Sequence, residues 1–458
     1  MLRLGCGAGF SSDRLEPAID LAREGRLDYL VFETIGERTL AFGHRDRKLD
    51  PKRGYNPQLA ARMRGVLAHC RANKTRIVTN MGVANVAAAA EVTIAIAREL
   101  GLKGLKVAIV EGDDVTALMT PKTVLFDYGN RTIAEVGRPV VGANVYLGID
   151  AILPALETGA DVVITGRVAD PSLFLSPLVH HYGWALDDWP LLGRGTLVGH
   201  LMECGMQITG GYYADPGFKD VPRVADCGYP IAEVSNDGNA TITKLGSAGG
   251  MVTTRTVKEQ LLYEVHDPAA YLTPDVTADF SGVGIVDRGQ NRVEVSGGSG
   301  TARPQTLKVT VGFDGGHLGE GGISYAGPNA VARATLARDI LAERLGRHAG
   351  FSDNLRLDLI GIDSLHATAG TGASSAPGGR LPAGESPGAN KQDIRVRVAM
   401  RSMDRAAIET MLWEVESLLC CGPSGGGGYR GQISPSVITH SALIDRNQVS
   451  PSVKVFIA

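Results

Sequence analysis

The sequence predicts a mixed α/β fold, in which a doubly wound, mostly parallel sheet with helices on both faces precedes a glycine-rich α+β domain with a mixed sheet. Up to about residue 183, apolar strand patterns alternate with helical patterns, as in βαβ units. From Trp184 onward, Gly and Pro become dense and the strand patterns look antiparallel or mixed. Glycine makes up 59 of the 458 residues, against a usual share of about 7%. We therefore predict a Rossmann-like domain at residues 1–183 and a Gly-rich domain at residues 184–458.

Apolar, β-branched runs in the first domain are typical of buried parallel strands, and helical patterns lie between them. The predicted strands are Leu2–Cys6, Leu27–Thr34, Thr75–Asn80, Leu105–Val110, Pro139–Val145 and Asp161–Thr165. The predicted helices are Asp13–Gly25, Pro57–Asn73, Asn85–Leu100 and Ile149–Thr158.

The second domain contains shorter strand patterns, followed by a strand–helix–strand–strand–helix order that is typical of ferredoxin-like units. The strands are predicted at Ile231–Val234, Thr241–Leu245, Arg292–Val295, Leu307–Gly312, Leu355–Asp363 and Asp393–Met400, and the helices at Asn329–Leu345 and Asp404–Cys420. Residues 366–392 are rich in Gly, Ala, Ser and Pro without periodicity, so we predict a flexible loop there.

Composition excludes several classes of protein. The net charge is 46 − 49 = −3 and the apolar fraction is 44%, so the chain is neither disordered nor a non-specific nucleic-acid binder. We find no leader and no apolar run long enough to span a membrane. The few cysteines are interpreted as reduced thiols. We expect a cytoplasmic protein that forms homo-oligomers and binds a small molecule, with neither nucleic acid nor membrane as partner.

Small or ionisable residues follow each predicted parallel strand, at the edge where open α/β sheets bind ligands. Their backbone N–H groups, amides and charges predict a lined crevice. The substrate-binding candidates are Gly7, Gly9, Ser11, Asn80, Arg167, Asp170 and Ser172. We place Glu33, Asp113 and Asp114 among the catalytic candidates.

Two of these groups have alternative interpretations. Asp114 is a suitable helix cap, whereas Asp113 and Asp114 together suit Mg²⁺ binding or proton transfer. Arg167 follows a buried strand, where a guanidinium either binds a substrate carboxylate or phosphate, or pairs with Asp170 or Glu33.

In the second domain, His200 and Glu203 are three residues apart and share one helical face. This spacing suits a base with its orienting partner, two metal ligands, or a structural pair. Gly249 belongs to one of several glycine clusters whose backbone N–H groups can cradle an oxyanion or phosphate. We predict that these glycine loops form a wall facing the strand ends of the first domain.

The chain resembles the acyclic terpene utilisation family of the AtuA type along nearly its whole length. The matching stretches are Gly7–Arg14, Leu27–Glu33 with Glu37–Ala41, Val107–Asp114, Ala160–Ser172, Trp189-Pro190, Gly199–Gly211, Pro216–Pro222 and Ile323–Ala330. The resemblance implies a bacterial cytosolic protein that takes part in the breakdown of branched acyl chains. It further implies lyase or hydratase-like chemistry on a branched acyl-CoA.

Three hypotheses follow. The first is an enzyme of catabolism acting on a branched acyl-CoA or related carboxylate, with a base among Glu33, Asp113, Asp114 and His200, and with a divalent metal as an option for a lyase. The second is a hydrolase of an amide, lactam or ester that uses Ser11, Ser12 or Ser172. The third is a non-catalytic ligand-binding or scaffold subunit. The residues indicate no particular cofactor.

Overall fold

The computed structural model describes residues 1–348, 351, 354–362 and 393–458. The segment 366–392, predicted as a flexible loop, lies outside the described residues. In the part of the chain that is described, no helix combines the length and apolar character needed to cross a membrane.

The helices and strands are numbered here in chain order. The α-helices are α1 Glu16–Glu24, α2 Glu37–Leu49, α3 Leu59–Asn73, α4 Val86–Glu99, α5 Ile133–Val136, α6 Ile149–Glu157, α7 Ser172–Tyr182, α8 Trp189–Glu203, α9 Thr254–Leu262, α10 Ala330–Gly346 and α11 Arg405–Cys421. Single 3₁₀ turns lie at Thr116–Leu118, Gly205–Thr209, Val224–Asp226 and Arg446–Gln448. The strands are β1 Leu2–Ala8, β2 Tyr29–Phe32, β3 Arg76–Thr79, β4 Lys106–Glu111, β5 Val124–Leu125, β6 Arg131–Thr132, β7 Val140–Val145, β8 Val162–Thr165, β9 Pro230–Val234, β10 Ala240–Lys244, β11 Tyr271–Leu272, β12 Thr277–Asp279, β13 Gly284–Asp287, β14 Val293–Ser296, β15 Ser299–Thr301, β16 Thr306–Ala326, β17 Leu355–Ile360, β18 Asp393–Ser402, β19 Gly427–Asp445 and β20 Ser452–Ile457.

A large sheet has the strand order β13-β14-β10-β9-β1-β2-β3-β8-β4-β20. Its centre, β1-β2-β3-β8-β4, is parallel, and antiparallel strands extend it on both sides. One face carries α1, α3 and α4, and the other carries α6, α7 and α8. The predicted α/β class, with its doubly wound parallel sheet, is confirmed.

One predicted parallel strand is wrong. Residues Pro139–Val145 contain β7, which pairs antiparallel with β16, so that Val145 lies opposite Val309. The edge of the large sheet beside β4 is occupied instead by β20, which is antiparallel to it. An apolar run predicts that a strand is buried but does not specify which partner it pairs with, and this is why the pattern misled the prediction.

Contacts divide the chain into two compact units, Met1–Phe313 with Thr439–Ala458, and Asp314–Ile438. The boundary predicted between residues 183 and 184 lies within the first unit. The reason is that β9, β10, β13 and β14 continue the sheet of β1 through main-chain hydrogen bonds.

The second unit contains the predicted α+β layer. Its strands lie in the order β17-β18-β16-β19, and α10 and α11 bury their apolar faces on this sheet. Counted along the chain the strand order is 2-3-1-4, which is the ferredoxin-like arrangement. Because several glycines interrupt the apolar pattern of β16 and β19, the sequence did not indicate the full length of either strand.

Close packing of α8 explains part of the glycine excess. A Cβ atom on Gly193 would lie 1.9 Å from the carbonyl oxygen of Ser299, and one on Gly199 would lie 2.6 Å from that of Pro171. Such distances are far below van der Waals contact, so only glycine allows β15 and the start of α7 to approach this helix. These contacts fix the position of α8, which ends at Glu203.

We expect the substitution Gly193→Ala to destabilise the protein by about 1–3 kcal/mol, because the added methyl group forces β15 away from α8. Helix propensity alone would make the same change favourable by about 1 kcal/mol. Urea unfolding monitored by circular dichroism measures the difference. The matched control is Gly246→Ala, since no atom lies within 4 Å of a Cβ at that position. A Gly193→Ala protein as stable as the control would contradict the packing argument.

Candidate active site

A cavity of about 570 Å³ opens at the carboxyl ends of β1, β2 and β8. The residues around it come from the first compact unit alone. They are Gly9, Phe10, Glu33, Thr34, Ile35, Gly36, Glu37, Phe126, Tyr146, Arg167, Ala169, Asp170, Pro171, Glu203, Cys204, Tyr263, Glu264, Tyr271, Leu272, Thr273, Pro274, Pro304, Thr306, Leu307, Lys308 and Leu443. The cavity therefore lies at the edge of the sheet where the sequence predicts a crevice.

Glu33 follows β2 and is buried at the wall of this cavity. Its Oε1 accepts hydrogen bonds of 2.8 Å from the amide of Ile35 and from Nδ2 of Asn80. Its Oε2 makes no hydrogen bond to any residue in the described ranges. Burial, with the nearby charge of Asp170, raises the pKa of Glu33 well above its usual range. Burial therefore favours the uncharged form of this acid, which keeps one oxygen available.

Arg167 is buried and bound within the protein. One Nη donates a 2.5 Å hydrogen bond to the carbonyl of Ile35, and the other lies 2.9 Å from the carboxylate of Asp170. The guanidinium carbon lies 4.0 Å from the centre of the Tyr146 ring. These three contacts favour the structural alternative for Arg167, the ion pair with Asp170, over direct binding of a substrate anion.

A second ion pair lies beside the first. Nζ of Lys308 is 3.3 Å from Oε1 of Glu37, and the hydroxyl of Tyr146 donates a 2.8 Å hydrogen bond to the same oxygen. Burial opposes the charge of Glu37, but Arg167 and Lys308 outweigh it and lower the pKa of Glu37 to about 2. Tyr146 thus lies between two cations, each of which already has an anionic partner.

His200 and Glu203 form a buried pair at the end of α8. Nδ1 of His200 lies 3.2 Å from Oε1 of Glu203, and its Nε2 lies 3.1 Å from the carbonyl of Leu261. A carbonyl only accepts, so Nε2 carries a hydrogen and any exchangeable proton lies between Nδ1 and Oε1. Burial raises the pKa of Glu203 to about 7 despite the opposing effect of His200. The pKa of His200 is also raised, because Glu203 outweighs burial.

Glu203 itself lines the cavity, whereas His200 is not among the lining residues and packs against the rings of Tyr271 and Phe280, which also contact each other. Oε2 of Glu203 is buried and has no hydrogen-bond partner among the described residues. The cavity thus contains two carboxyl groups, Glu33 and Glu203, that each have one bound and one unpaired oxygen.

Gly9 allows Glu203 to reach the strand ends. A Cβ atom on Gly9 would lie 2.4 Å from the carbonyl oxygen of Glu203 and 2.3 Å from the carbonyl carbon of Cys204. The loop after β1 therefore contacts the end of α8 backbone to backbone. Gly9 also donates its N–H to Asp13 over 2.8 Å, which makes it a packing residue and not a free anion-binding donor.

Part of the cavity mouth is apolar. Four large apolar side chains are exposed there, and we call them the apolar rim: Phe10, Phe126, Leu272 and Leu443. Single exposed apolar residues are ordinary, but a group around one cavity marks a binding surface.

Asp113 lies behind the cavity, outside the residues that line it. Its Oδ2 accepts hydrogen bonds from the amide of Arg167 (2.7 Å) and from Nδ2 of Asn144 (2.8 Å). Oδ1 of Asn144 lies 2.5 Å from Nε2 of His44, which must therefore donate. Burial raises the pKa of Asp113 to about 6. This network holds the backbone of Arg167 in place.

The other predicted residues also lie outside the lining. Asp114 is exposed and accepts hydrogen bonds from the amide and hydroxyl of Thr116, but the N-cap of the following 3₁₀ turn is Val115, so Asp114 is not the predicted helix cap. Asn80 positions Glu33. The positions of the remaining candidates are as follows: Ser11 accepts from Asn56, Ser172 donates to Asp275, Gly7 packs on Phe32 and Gly249 lines a separate cavity.

One expectation about the wall facing the strand ends needs correction. Apart from Gly9 and Gly36, no glycine lines the described cavity, so the predicted wall of glycine clusters is wrong here. That side is formed by Tyr, Thr, Pro, Leu and Lys side chains, because the glycines serve instead in close packing and turns. Sequence reasoning also missed the roles of Glu37, Tyr146 and Lys308. Glu37 opens the unpredicted helix α2, and single Tyr and Lys residues in strands carry no motif.

No group of three or more His, Cys, Asp or Glu side chains is arranged to hold a metal ion among the residues that the structure describes. We therefore derive no step through a metal.

Comparison with known protein families identifies one that covers nearly the whole chain. The family model described as acyclic terpene utilisation family protein AtuA matches residues 2–455. Neither a curated protein nor a solved structure shows significant similarity to the chain.

The Asp113 network makes stability depend on pH. Because the folded pKa of Asp113 is about 6 and its ordinary value is 3.8, the native state holds more protons than the unfolded state between these values. Its contribution to stability is therefore present below pH 4 and is lost as pH rises through about 6, by up to about 3 kcal/mol. We expect Asp113→Asn to remove this part of the slope in urea unfolding measured from pH 4 to pH 7. The control Glu91→Gln, at an exposed carboxylate of α4, should retain the wild-type slope. An Asp113→Asn protein with the same slope as this control would refute the account.

Proposed function

Because the chain belongs to the acyclic terpene utilisation family AtuA, we propose that it is an enzyme that moves protons to and from a branched acyl compound in hydratase or lyase chemistry. The observation that carries this proposal is the presence of two buried carboxyl groups in one cavity, Glu33 and Glu203, each with one unpaired oxygen. Addition or removal of water, and cleavage beside a carbonyl, both require an acid and a base at such positions.

Glu33 is the general acid in this proposal. Its burial favours the protonated form by raising its pKa, and Asn80 with the amide of Ile35 fixes the orientation of the carboxyl group. A protonated carboxyl group can donate to a leaving hydroxyl or to a carbonyl oxygen that gains charge. The role parallels that of other acids whose pKa is raised by an apolar environment.

Glu203 is the general base, with His200 as its positioning residue. A pKa of about 7 leaves a substantial fraction of Glu203 ionised at neutral pH while keeping it basic. In dehydration, Glu203 would take the proton from the carbon beside the carbonyl. Glu33 would protonate the departing hydroxyl, so that a C–O bond breaks, a C=C bond forms and water leaves. Proton exchange with solvent then returns Glu203 to its ionised form and Glu33 to its protonated form.

The apolar rim supports a branched hydrocarbon chain as the other part of the substrate. Phe10, Phe126, Leu272 and Leu443 remain exposed at the mouth, and burying apolar surface there contributes about 25 cal/mol per Å². The hydrolase alternative receives no comparable support. Ser11, Ser12 and Ser172 lie outside the cavity lining.

We expect the protein to catalyse both hydrogen exchange beside the carbonyl and water loss in the N-acetylcysteamine thioester of 3-hydroxy-3,7-dimethyloctanoic acid. Proton NMR in D₂O follows both reactions at once. Glu203→Gln should slow the exchange by about 100-fold or more, whereas Glu33→Gln should slow water loss by a similar factor and leave exchange in place. Exchange should accelerate as pH rises through about 7, because the ionised form of Glu203 is the base.

The control is Asp114→Asn, which removes an exposed carboxylate outside the cavity and should leave both rates unchanged. Far-UV circular dichroism verifies that each variant is folded. A wild-type protein that neither exchanges nor dehydrates this thioester, or a Glu203→Gln variant as fast as wild type, would reject the proposal and favour a non-catalytic binding role.

A further inference from the structure

A second cavity, of about 540 Å³, lies in the first compact unit and shares no lining residue with the candidate active site. Its walls come from three segments: the glycine-rich turn after β10, the start of α9, and the turn between β13 and β14. A cavity of this size is large enough for a small molecule. The question is which kind of ligand its side chains suit.

The glycines of this second cavity shape its wall and do not supply free N–H groups. A Cβ atom on Gly249 would lie 2.2 Å from the carbonyl oxygen of Arg223, so the two segments meet backbone to backbone. The amides of Gly249 and Gly250 donate to the carbonyls of Asp226 and Pro222, both over 2.8 Å. Any ligand must therefore be recognised mainly by side chains.

Lys244, the last residue of β10, is a buried cation in the wall of the second cavity. Only 8% of this residue is exposed. Its Nζ donates hydrogen bonds to the carbonyls of Leu245 (3.1 Å) and Ala248 (2.7 Å), and it forms no ion pair with a carboxylate of the described residues. An ammonium group has three hydrogens. One hydrogen of Lys244 is thus left without an acceptor in the described part of the chain.

The charges around Lys244 do not compensate it. Burial lowers the pKa of Lys244, and the positive charge of Arg223 adds to this effect. Arg223 itself pairs with Asp226 over 3.1 Å. Asp287 also lines the cavity, but it is exposed and is not among the groups that act on the pKa of Lys244. Buried charges in proteins are normally paired, so this ammonium group suits an anion supplied by a ligand.

Two further groups in the lining favour an anion. Thr253 is the N-cap of α9, a helix of nine residues, and the N-terminal end of a helix carries partial positive charge. Oδ1 of Asn291 accepts a 3.0 Å hydrogen bond from the amide of Val252. This bond identifies Nδ2 as the other atom of the side-chain amide, and its two hydrogens have no acceptor among the described residues.

We propose that the second cavity binds a phosphate group, either inorganic phosphate or that of a small phosphate monoester. Lys244, Asn291 and the start of α9 belong to three separate segments, so together they suit an anion with three or more acceptor oxygens. A carboxylate has only two such oxygens. This inference goes beyond the proposed function and does not depend on it, because the two cavities have no residue in common.

Isothermal titration calorimetry of the full chain at neutral pH tests the proposal with inorganic phosphate, glycerol 3-phosphate and glycerol. We expect saturable binding of phosphate or its ester at one site per chain, and no binding of glycerol, which lacks the anion. Tighter binding of the ester identifies an organic phosphate as the ligand, whereas equal or weaker binding identifies free phosphate. Both results support the site.

A matched pair of lysine variants locates the binding. Lys244→Met keeps an unbranched side chain but removes the charge, and it should weaken phosphate binding about tenfold or more, because a hydrogen bond between charged groups is lost. The control Lys258→Met removes an exposed lysine of α9 outside the cavity and should leave the affinity unchanged. Far-UV circular dichroism verifies that both variants are folded.

A third variant changes the affinity in the opposite direction. Asp287→Asn removes the single carboxylate of the described lining and should tighten phosphate binding about two- to threefold. Asp287 is exposed, and asparagine keeps an oxygen that can accept from the amide of Gly289, so the test holds even if Lys244→Met fails to fold. The inference is overturned if the wild-type protein binds neither phosphate nor its ester, if both lysine variants lose affinity equally, or if Asp287→Asn changes nothing.

Discussion

The candidate site depends on the backbone contact between Gly9 and the end of α8. Because this contact leaves no room for a Cβ atom on Gly9, it brings Glu203 next to the loop after β1. Glu203 belongs to a helix that lies beyond the predicted domain boundary. Gly193 and Gly199 fix the same helix from its other sides. Without these approaches His200 and Glu203 would still form a pair, but Glu203 would not share a cavity with Glu33. The chemistry we propose is thus a consequence of packing.

Desolvation accounts for the electrostatics of the site. Burial raises the pKa of Glu33, Asp170 and Glu203. The neighbours that oppose this rise differ from one carboxyl group to the next. Asp170 has a guanidinium partner, Glu203 has an imidazole, and Glu33 has neutral donors together with longer-range charges. Carboxyl groups with different partners in one cavity give an acid and a base from the same residue type.

Pattern analysis predicted the central sheet because a parallel strand buried on both faces is an apolar run, visible without knowledge of its partners. It predicted Glu33 and Glu203 because strand ends and helical spacing are local features. The position of β7 was predicted wrongly because strand pairing is a long-range property. Its partner is β16, in which Val309 lies opposite Val145, about 160 residues further along the chain. Lys308 was missed for the same reason, because a lone lysine in a strand becomes a partner of Glu37 only through that pairing. The glycine excess was noticed but assigned to ligand binding, whereas at Gly9 and Gly193 it serves close packing.

The apolar rim differs from the carboxyl groups of Glu33 and Glu203 in how its side chains are held. Its four side chains come from four separate segments and are exposed, whereas Glu33 and Glu203 are held by buried contacts. Substitutions in the rim therefore carry little risk of unfolding the protein or altering its carboxyl groups. The rim can therefore be altered side chain by side chain while the hydrogen bonds that hold Glu33 and Glu203 stay in place.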